Sequence, residues 1–117
     1  MKYRLVGSEM CIRDRSKIHE SMVNVIEGNT GTARRLKNLK TFTVAAKTGT
    51  AELVSLESKE DYEETRLDSN LRDHAVIIAF GPMPNPRYAV SVVVENGESG
   101  GSVAGPIAID VLEALIK

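Results

Sequence analysis

Three features that would each indicate a class of function are scarce or absent in the sequence. The single cysteine, Cys11, excludes an internal disulfide and a cysteine-based zinc cluster. The 15 Lys and Arg residues balance 16 Asp and Glu residues, so the chain has no positive excess with which to hold a nucleic acid. Apolar stretches such as Ala75–Phe80 are far shorter than the roughly 20 residues that cross a bilayer. A disulfide scaffold, a nucleic-acid-binding domain and a membrane-spanning segment are therefore not expected.

What remains fits one globular domain, or a piece of one. The chain has 117 residues, of which 42% are hydrophobic and 26% are charged, and a chain of this size buries one core. Residues 1–15 lack the apolar core and the cleavage site of a signal peptide, and they resemble a translated sequencing-adapter tail. We therefore predict that residues 1–15 are a non-native leader and that residues 16–117 carry the fold.

Helical periodicity appears at both ends of residues 16–117. In Ser16–Glu27 the apolar residues recur at spacings of three and four, and Gly28 is a natural stop. Near the C-terminus, Ser102 is predicted to cap a second helix that has Pro106 in its first turn. The apolar face of this second helix is predicted to consist of Ile107, Val111, Leu112, Leu115 and Ile116.

Three β-strands are predicted between the two helices, because β-branched residues cluster there. They are Thr41–Val54, His74–Phe80 and Tyr88–Glu95, and a proline-rich loop that cannot continue a ladder joins the last two. Strands that follow one another without helical crossovers pair antiparallel, and we expect both helices to cover one face of the sheet. The predicted fold class is thus α/β, with a three-stranded antiparallel sheet, an N-terminal helix and a C-terminal helix.

The connecting segments have less pattern. Arg34–Lys40 has Leu36 and Leu39 as its only apolar anchors and is predicted to be a loop or a short helix. Ser55–Asp73 is the most charged part of the chain, which favours a solvated loop or a short helix. Asn96–Gly101 is predicted to be a flexible turn rather than a phosphate-binding loop, since the rest of a P-loop pattern is missing.

The tetrapeptide Lys47-Thr48-Gly49-Thr50 is the local pattern to which a mechanism can be attached. On a strand, Lys47 and Gly49 point to one face and Thr48 and Thr50 to the other, while the backbone amides point sideways. At a sheet edge these amides can bind a peptide as an added strand, and Gly49 lets it approach closely. Lys47 and Thr48 offer a charge and a hydroxyl to a substrate carboxylate, and the Thr50 amide can form half of an oxyanion hole. The pattern alone also fits a threonine-rich strand end with a surface lysine.

Two histidines are the other candidates for chemistry. His74 and His19 have no nucleophile nearby in the sequence, and a histidine at the start of a strand is more simply a surface or capping residue. Together with scattered acids they form no ligand pattern, so no metal site and no cofactor are predicted. The tetrapeptide therefore remains the candidate site.

Four blocks in a fixed order carry a resemblance to a known family. They are MVNVIEGNTGTA (Met22–Ala33), AAKTGTAE (Ala45–Glu52), the two strands in His74–Gly97, and GGSVAGPIAIDVLEAL (Gly100–Leu115). With them, residues 16–117 resemble the C-terminal part of the transpeptidase domain of class B penicillin-binding proteins, most closely the elongation type called penicillin-binding protein 2. The resemblance implies the fold shared by penicillin-recognising serine transpeptidases and β-lactamases. It also implies a D,D-transpeptidase that cross-links peptidoglycan through an acyl-serine intermediate.

The resemblance further implies roles for the tetrapeptide. Lys47 is similar to the lysine of the family's third motif, and Thr48 and Thr50 are similar to the hydroxyls that hold the carboxylate of a substrate or a β-lactam. Gly49 is similar to the small residue beside the acylated serine, and the Thr50 amide is similar to the second oxyanion donor. The residue before Lys47 is usually glycine in this family and is Ala46 here.

The family's nucleophile motif SxxK and its second motif SxN are both absent. No serine in the chain has a lysine three residues later or an asparagine two residues later. Because a serine needs its adjacent base to react, we predict that the chain alone is catalytically inert and that an upstream part of its domain is missing. The alternative is a non-catalytic module of the same fold that senses β-lactams or binds peptides. A β-lactamase is less favoured, because the flanking blocks resemble the transpeptidases more closely.

The resemblance also implies partners and a location. The expected partners are peptidoglycan stem peptides, β-lactams, the missing upstream part of the domain and, for the parent protein, the cell-elongation machinery. The parent is expected to be anchored in the inner (plasma) membrane, with this domain in the periplasm.

Overall fold

The structure of the protein is a computed structural model in which residues 2–53 and 70–116 are described. Two α-helices pack against a sheet of three strands, and each helix is joined to the sheet by a shorter helical segment. Most of the charged segment Ser55–Asp73 lies outside the described residues. The elements in chain order are α1 (Lys2–Glu27), a 3₁₀ helix (Arg34–Leu39), β1 (Ala45–Ala51), β2 (His74–Gly81), β3 (Tyr88–Val94), a π turn (Gly100–Ala104) and α2 (Gly105–Ile116).

The sheet has the predicted topology. Its order is β1-β2-β3 and both pairs are antiparallel, with Thr48 opposite Ile77 and Ile77 opposite Val92. The predicted bounds of β2 and β3 are correct to within one residue. The predicted start of the first strand at Thr41 is wrong, since β1 begins at Ala45.

The residues just before β1 are held by other parts of the chain. The Thr41 N–H donates to Oε1 of Glu113 on α2 at 2.6 Å, and the Thr43 carbonyl accepts from the Met83 N–H at 2.8 Å. Because these hydrogen bonds tie Thr41 and Thr43 to α2 and to the loop after β2, this segment does not pair with β2 as a continuation of β1.

A core of small and aliphatic side chains lies on one face of the sheet. We call the face that carries Ala75, Ile77 and Ala79 the core face, and α2 packs against it. The other face, which carries Val76, Ile78 and Phe80, is called the outer face. The buried cluster consists of Ile26, Ala33, Leu36, Val44, Ala46, Ala75, Ile77, Ala79, Ala104, Ala108, Ile109 and Leu112.

The prediction that both helices cover a single face is wrong for α1. Ile26 near the end of α1 joins the core cluster, but the His19 ring lies 5.1 Å from the ring of Phe80 on the outer face. Alternation places Phe80 on the face opposite Ile77 and Ala79, so α1 reaches both faces at the β1 side of the sheet.

The first helix is longer than predicted. It begins at Lys2 rather than Ser16, because residues 2–15 contain no proline and only one glycine to interrupt it. It ends before Gly28, as predicted, and the Gly28 N–H donates to the Asn24 carbonyl at 2.9 Å. Of the apolar residues that define its pattern, Ile26 is buried but Ile18 is 55% exposed. The non-native origin of residues 1–15 stays a prediction.

The C-terminal helix differs from the prediction in its cap and in its buried face. Ser99, not Ser102, caps the π turn that leads into α2, and its side chain accepts from the Ser102 N–H at 3.2 Å. The predicted face residues Ile107, Val111 and Leu115 are exposed, whereas Leu112 is buried as predicted. Apolar residues lie on almost every side of this helix, so spacing alone does not identify the side that packs. The buried side comprises Gly105, Ala108, Ile109 and Leu112.

The connecting segment after α1 forms a 3₁₀ helix, in agreement with one of the two predicted options. Leu36 is buried in the core as an anchor, but Leu39 is 52% exposed and is not part of the core cluster of the described residues. Of the helices that the structure describes, none combines the length and the hydropathy that a membrane crossing requires.

Candidate functional site

The candidate tetrapeptide lies on an edge strand. β1 is the first strand in the order, so one of its two sides faces no other strand among the described residues. Thr48 is opposite Ile77 and therefore lies on the core face, whereas Lys47 is opposite Ile78 and lies on the outer face. Lys47 and Thr50 are exposed, and Thr48 and Gly49 are half-buried. The predicted alternation and the predicted sheet edge are both present.

The backbone of β1 directs the Thr48 and Thr50 amides away from the sheet. A Cβ added to Gly100 would meet the Val76 carbonyl oxygen, and it would lie 2.9 Å and 3.3 Å from the oxygen and nitrogen of Gly49. The Val76 oxygen and the Gly49 oxygen and nitrogen therefore lie close together between β1 and β2. The N–H and C=O groups of Gly49 thus face β2. Since successive residues of a strand point their amide groups to opposite sides, Thr48 and Thr50 point theirs to the open edge.

A side-chain contact agrees with this orientation. Nζ of Lys47 donates to the Thr48 carbonyl oxygen at 2.7 Å, along the open side of the strand. The edge thus presents a positive charge, two outward amide groups and the Thr48 and Thr50 hydroxyls within four consecutive residues. Chemically, this arrangement can pair with an extended peptide and hold a carboxylate.

The glycine-rich turn before α2 supports β1 from the core face. Gly100 and Gly101 are both buried, and a Cβ on Gly101 would lie 2.7 Å from the Thr32 carbonyl oxygen. The prediction of a flexible turn over Asn96–Gly101 is therefore wrong for Gly100 and Gly101, which are buried and belong to the π turn. At Asn96 and Glu98 the backbone φ angles are 56° and 63°, in the left-handed region.

One contact at the site was not anticipated from the sequence. Oγ1 of Thr32, in the loop after α1, lies 3.0 Å from Oγ1 of Thr48. The sequence places Thr32 in a run of turn-forming residues, which carries no sign of a partner 16 positions later. Only its place inside the resembling block Met22–Ala33 could have drawn attention to it.

A polar groove opens beside Lys47. It has a volume of about 520 Å³ and lies between the C-terminal half of α1 and β1, with Ser21, Asn24, Thr32 and Lys47 among its lining residues. The groove is open to solvent and places hydroxyl and amide groups around one positive charge. It can therefore accept a polar ligand or a polar segment of protein.

The histidines occupy structural positions. Nδ1 of His74 accepts from the Asn96 N–H at 2.9 Å, and the Asn96 amide donates to the Arg72 carbonyl at 2.7 Å. His74 thereby helps to close the turn that follows β3, and it lies far along β2 from the partners of Lys47. Within residues 2–53 and 70–116, no group of three or more His, Cys, Asp or Glu side chains is placed to hold a metal ion.

Comparison with known proteins identifies the family. Residues 9–113 match the family described as "Penicillin binding protein transpeptidase domain". The chain belongs to this family. Among the curated relatives that the chain matches, the peptidoglycan D,D-transpeptidase MrdA of Haemophilus influenzae is 38% identical over 92 residues, which are 79% of this chain and 14% of that protein.

Solved structures confirm the fold of this transpeptidase domain. Penicillin-binding protein 2 of Pseudomonas aeruginosa, in complex with WCK 5153, has a TM-score of 0.67 and 36% identity over 83% of this chain and 18% of that one. Penicillin-binding protein 2 of Helicobacter pylori, in complex with MreC, has a TM-score of 0.64 and 30% identity over 83% of this chain and 16% of that one. The chain thus spans less than a fifth of the length of each of these three relatives. The predicted family and the predicted α/β fold are both confirmed.

Proposed function

We propose that this chain is the C-terminal part of the catalytic domain of a peptidoglycan D,D-transpeptidase, and that Lys47–Thr50 forms one wall of its active site. The observation that carries the proposal is the position of the tetrapeptide on a sheet edge that faces no other strand among the described residues, with outward amide groups at Thr48 and Thr50. Such an edge binds an extended peptide as an added strand. The name of the Haemophilus relative gives peptidoglycan as its substrate, and a stem peptide of peptidoglycan has the chemistry to pair with such an edge.

Each residue of the tetrapeptide then has a role. The Thr48 and Thr50 hydroxyls hold the carboxylate of the substrate or of a β-lactam, and the Lys47 ammonium supplies the opposite charge and supports proton transfer at the nucleophile. The Thr50 N–H is one of two donors that stabilise the oxyanion, and loss of one such donor costs about 3 kcal/mol of transition-state stabilisation. Gly49 leaves space on the outer face of β1 for the reacting carbonyl, since the Val76 Cβ is the only atom that comes within contact distance of its Cβ position among the described residues.

The nucleophile comes from an upstream segment of the same polypeptide. The sequence has neither SxxK nor SxN, so the activated serine and its base must be supplied from outside the 117 residues. The polar groove beside Lys47 is where that segment would meet this wall. The chain alone is therefore expected to form no acyl-enzyme.

The setting of the parent protein follows from the same family. Its substrates are stem peptides, β-lactams act as its inhibitors, and it works in the periplasm from an anchor in the inner membrane. The Helicobacter relative was solved in complex with MreC, which supports a place for the parent in an elongation assembly.

Labelling with a fluorescent penicillin tests the proposed function. The full-length gene product is expected to be labelled covalently, and the 117-residue chain alone is not, because the label requires an activated serine. Replacing Lys47 by Met in the full-length protein is expected to slow labelling by at least about tenfold, as expected for loss of a charged partner in a binding and proton-transfer site. Lys17→Met, which removes an exposed lysine of α1, is the matched control and keeps the wild-type rate.

Two results would contradict the proposal. Covalent labelling of the short chain would mean that the nucleophile lies within it. Reversible binding of penicillin by the full-length protein, without a covalent adduct, would favour the non-catalytic sensing or peptide-binding module over the transpeptidase.

A further inference from the structure

The contact between the Thr32 and Thr48 hydroxyls is not explained by the roles assigned so far. The two oxygens are 3.0 Å apart, and they join the loop after α1 to the strand that carries the candidate site. We propose that Thr32 is a positioning residue that orients the Thr48 hydroxyl toward the carboxylate of the substrate. This proposal rests on the proposed function, because it deepens the role of Thr48 in that site.

The backbone of Thr32 is fixed from two directions. On the side of α1, the Ala33 N–H donates to the Val25 carbonyl at 3.0 Å, and Gly31 packs so closely that a Cβ there would strike the same carbonyl oxygen. On the side of the π turn, Gly101 lies against the Thr32 carbonyl and leaves no room for a side chain. The Thr32 hydroxyl is therefore presented to Thr48 by a constrained backbone and not by a free loop.

The hydrogen-bonding capacity of two hydroxyls sets the direction of the contact once a ligand binds. Each hydroxyl has one proton to donate and can accept from others, whereas a carboxylate only accepts. When the Thr48 proton is donated to the carboxylate, the Thr32 proton must be the one between the two threonines. The result is a chain from Thr32 through Thr48 to the ligand, in which each bond polarises and strengthens the next.

Without Thr32, the Thr48 hydroxyl loses its fixed donor. It then rotates among several orientations and exchanges partners with water, so a smaller fraction has its proton directed at the ligand. The expected loss of about threefold to tenfold in affinity corresponds to about 0.7–1.4 kcal/mol, which lies within the range of one neutral hydrogen bond. Because Thr32 is exposed, its own removal is expected to change the stability of the fold very little.

The experiment uses the full-length gene product and measures its acylation by benzylpenicillin, separated into the non-covalent dissociation constant and the acylation rate constant. Thr32→Val is expected to raise the dissociation constant about threefold to tenfold and to leave the rate constant within about twofold. Thr32→Ser, which keeps the hydroxyl, is expected to restore the wild-type value. Thr43→Val is the control, since the hydroxyl of this exposed threonine has no partner among the described residues.

Two further comparisons test the route through Thr48 and the carboxylate. The double variant Thr32→Val/Thr48→Val is expected to bind no more weakly than Thr48→Val alone, since Thr32 acts only through Thr48. Penicillin methyl ester, which lacks the anionic carboxylate, is expected to react with the wild type and with Thr32→Val at the same rate.

The outcomes separate this proposal from the proposed function. If the wild type is not acylated, the proposed function fails and the role of Thr32 fails with it. If the wild type is acylated but Thr32→Val behaves identically, or if its effect multiplies with that of Thr48→Val, the positioning role alone is refuted. A fall in the thermal midpoint that Thr32→Ser does not rescue would assign Thr32 a purely structural role.

Discussion

Gly49 of β1 and Gly100 of the π turn allow the effect of packing and the effect of substrate access to be measured separately. Gly49 lies on the outer face, where an added Cβ would meet only the Val76 Cβ, at 3.7 Å, in the part of the chain that the structure describes. Gly100 lies against the core face, where an added Cβ would be 2.9 Å from the Gly49 oxygen and closer still to the Val76 oxygen. Alanine at the two positions therefore adds the same methyl group to two very different environments.

The expected changes in stability have opposite signs. Alanine is favoured over glycine inside a strand by roughly 0.5–1 kcal/mol, so Gly49→Ala should leave the fold unchanged or slightly more stable. Gly100→Ala forces backbone atoms apart, and overpacking of this kind costs about 1–3 kcal/mol. The neighbours at Gly100 are backbone atoms of a paired strand, which have no rotamer through which to move away, so we expect the upper part of that range.

The expected effects on function are a loss in both variants, for different reasons. The methyl group of Gly49→Ala occupies the space kept for the reacting carbonyl, and a steric cost of about 1–3 kcal/mol would slow acylation about 5-fold to about 160-fold. Gly100→Ala moves Gly49 and Val76, and with them the Thr50 N–H, so it should also slow acylation.

Thermal unfolding and penicillin acylation of the full-length protein, measured on the same samples, check this reasoning. The midpoint of Gly100→Ala should fall by about 2–4 °C per kcal/mol for a domain of about 150–250 residues, while that of Gly49→Ala should not fall. An unchanged midpoint for Gly100→Ala would show that the turn does not press on β1. A normal acylation rate for Gly49→Ala would show that no substrate atom approaches this face of the strand.

Two further predictions concern how α2 is held. Leu112→Ala should destabilise the protein by about 2–5 kcal/mol, because Leu112 is fully buried. Leu115→Ala, at a position 46% exposed on the same helix, should cost less than about 1 kcal/mol. Equal urea midpoints for the two variants would contradict the assignment of the buried side of α2. Glu113→Ala should cost about 1–3 kcal/mol because the Glu113 carboxylate accepts from both the N–H and the hydroxyl of Thr41. Asp110→Ala, which removes an exposed acid of the same helix, is the control in the same urea titration. An equal loss of stability in both variants would show that the hydrogen bonds between Glu113 and Thr41 do not stabilise the fold.

The elements of this fold could be predicted largely because each depends on local chemistry. β-branched runs predicted β2 and β3 almost to the residue, and the prolines between them predicted the connection. The tetrapeptide at Lys47–Thr50 was found the same way, since period-two alternation and β-strand composition are properties of a few neighbouring residues. The family was recognisable because four such blocks occur in a fixed order.

Other features depend on which distant segments meet, and the sequence does not encode those meetings in any local pattern. β1 starts only at Ala45 because Thr41 is hydrogen-bonded to Glu113, 72 positions away. The packing side of α2 is selected by contact with the sheet, because its apolar residues lie on nearly every side. Thr32 was missed for the same reason, since its hydroxyl gains a partner only when α1 is placed beside β1.

The sequence by itself therefore determined the strand order, which follows from composition and periodicity, and the family, which follows from the resemblance of four ordered blocks; it also led to the proposed site residues. The tertiary structure decided which side of α2 is buried, which amides of β1 face outward and which glycines have no room for a side chain. These properties depend on distances between segments far apart in the chain, and only packing fixes such distances.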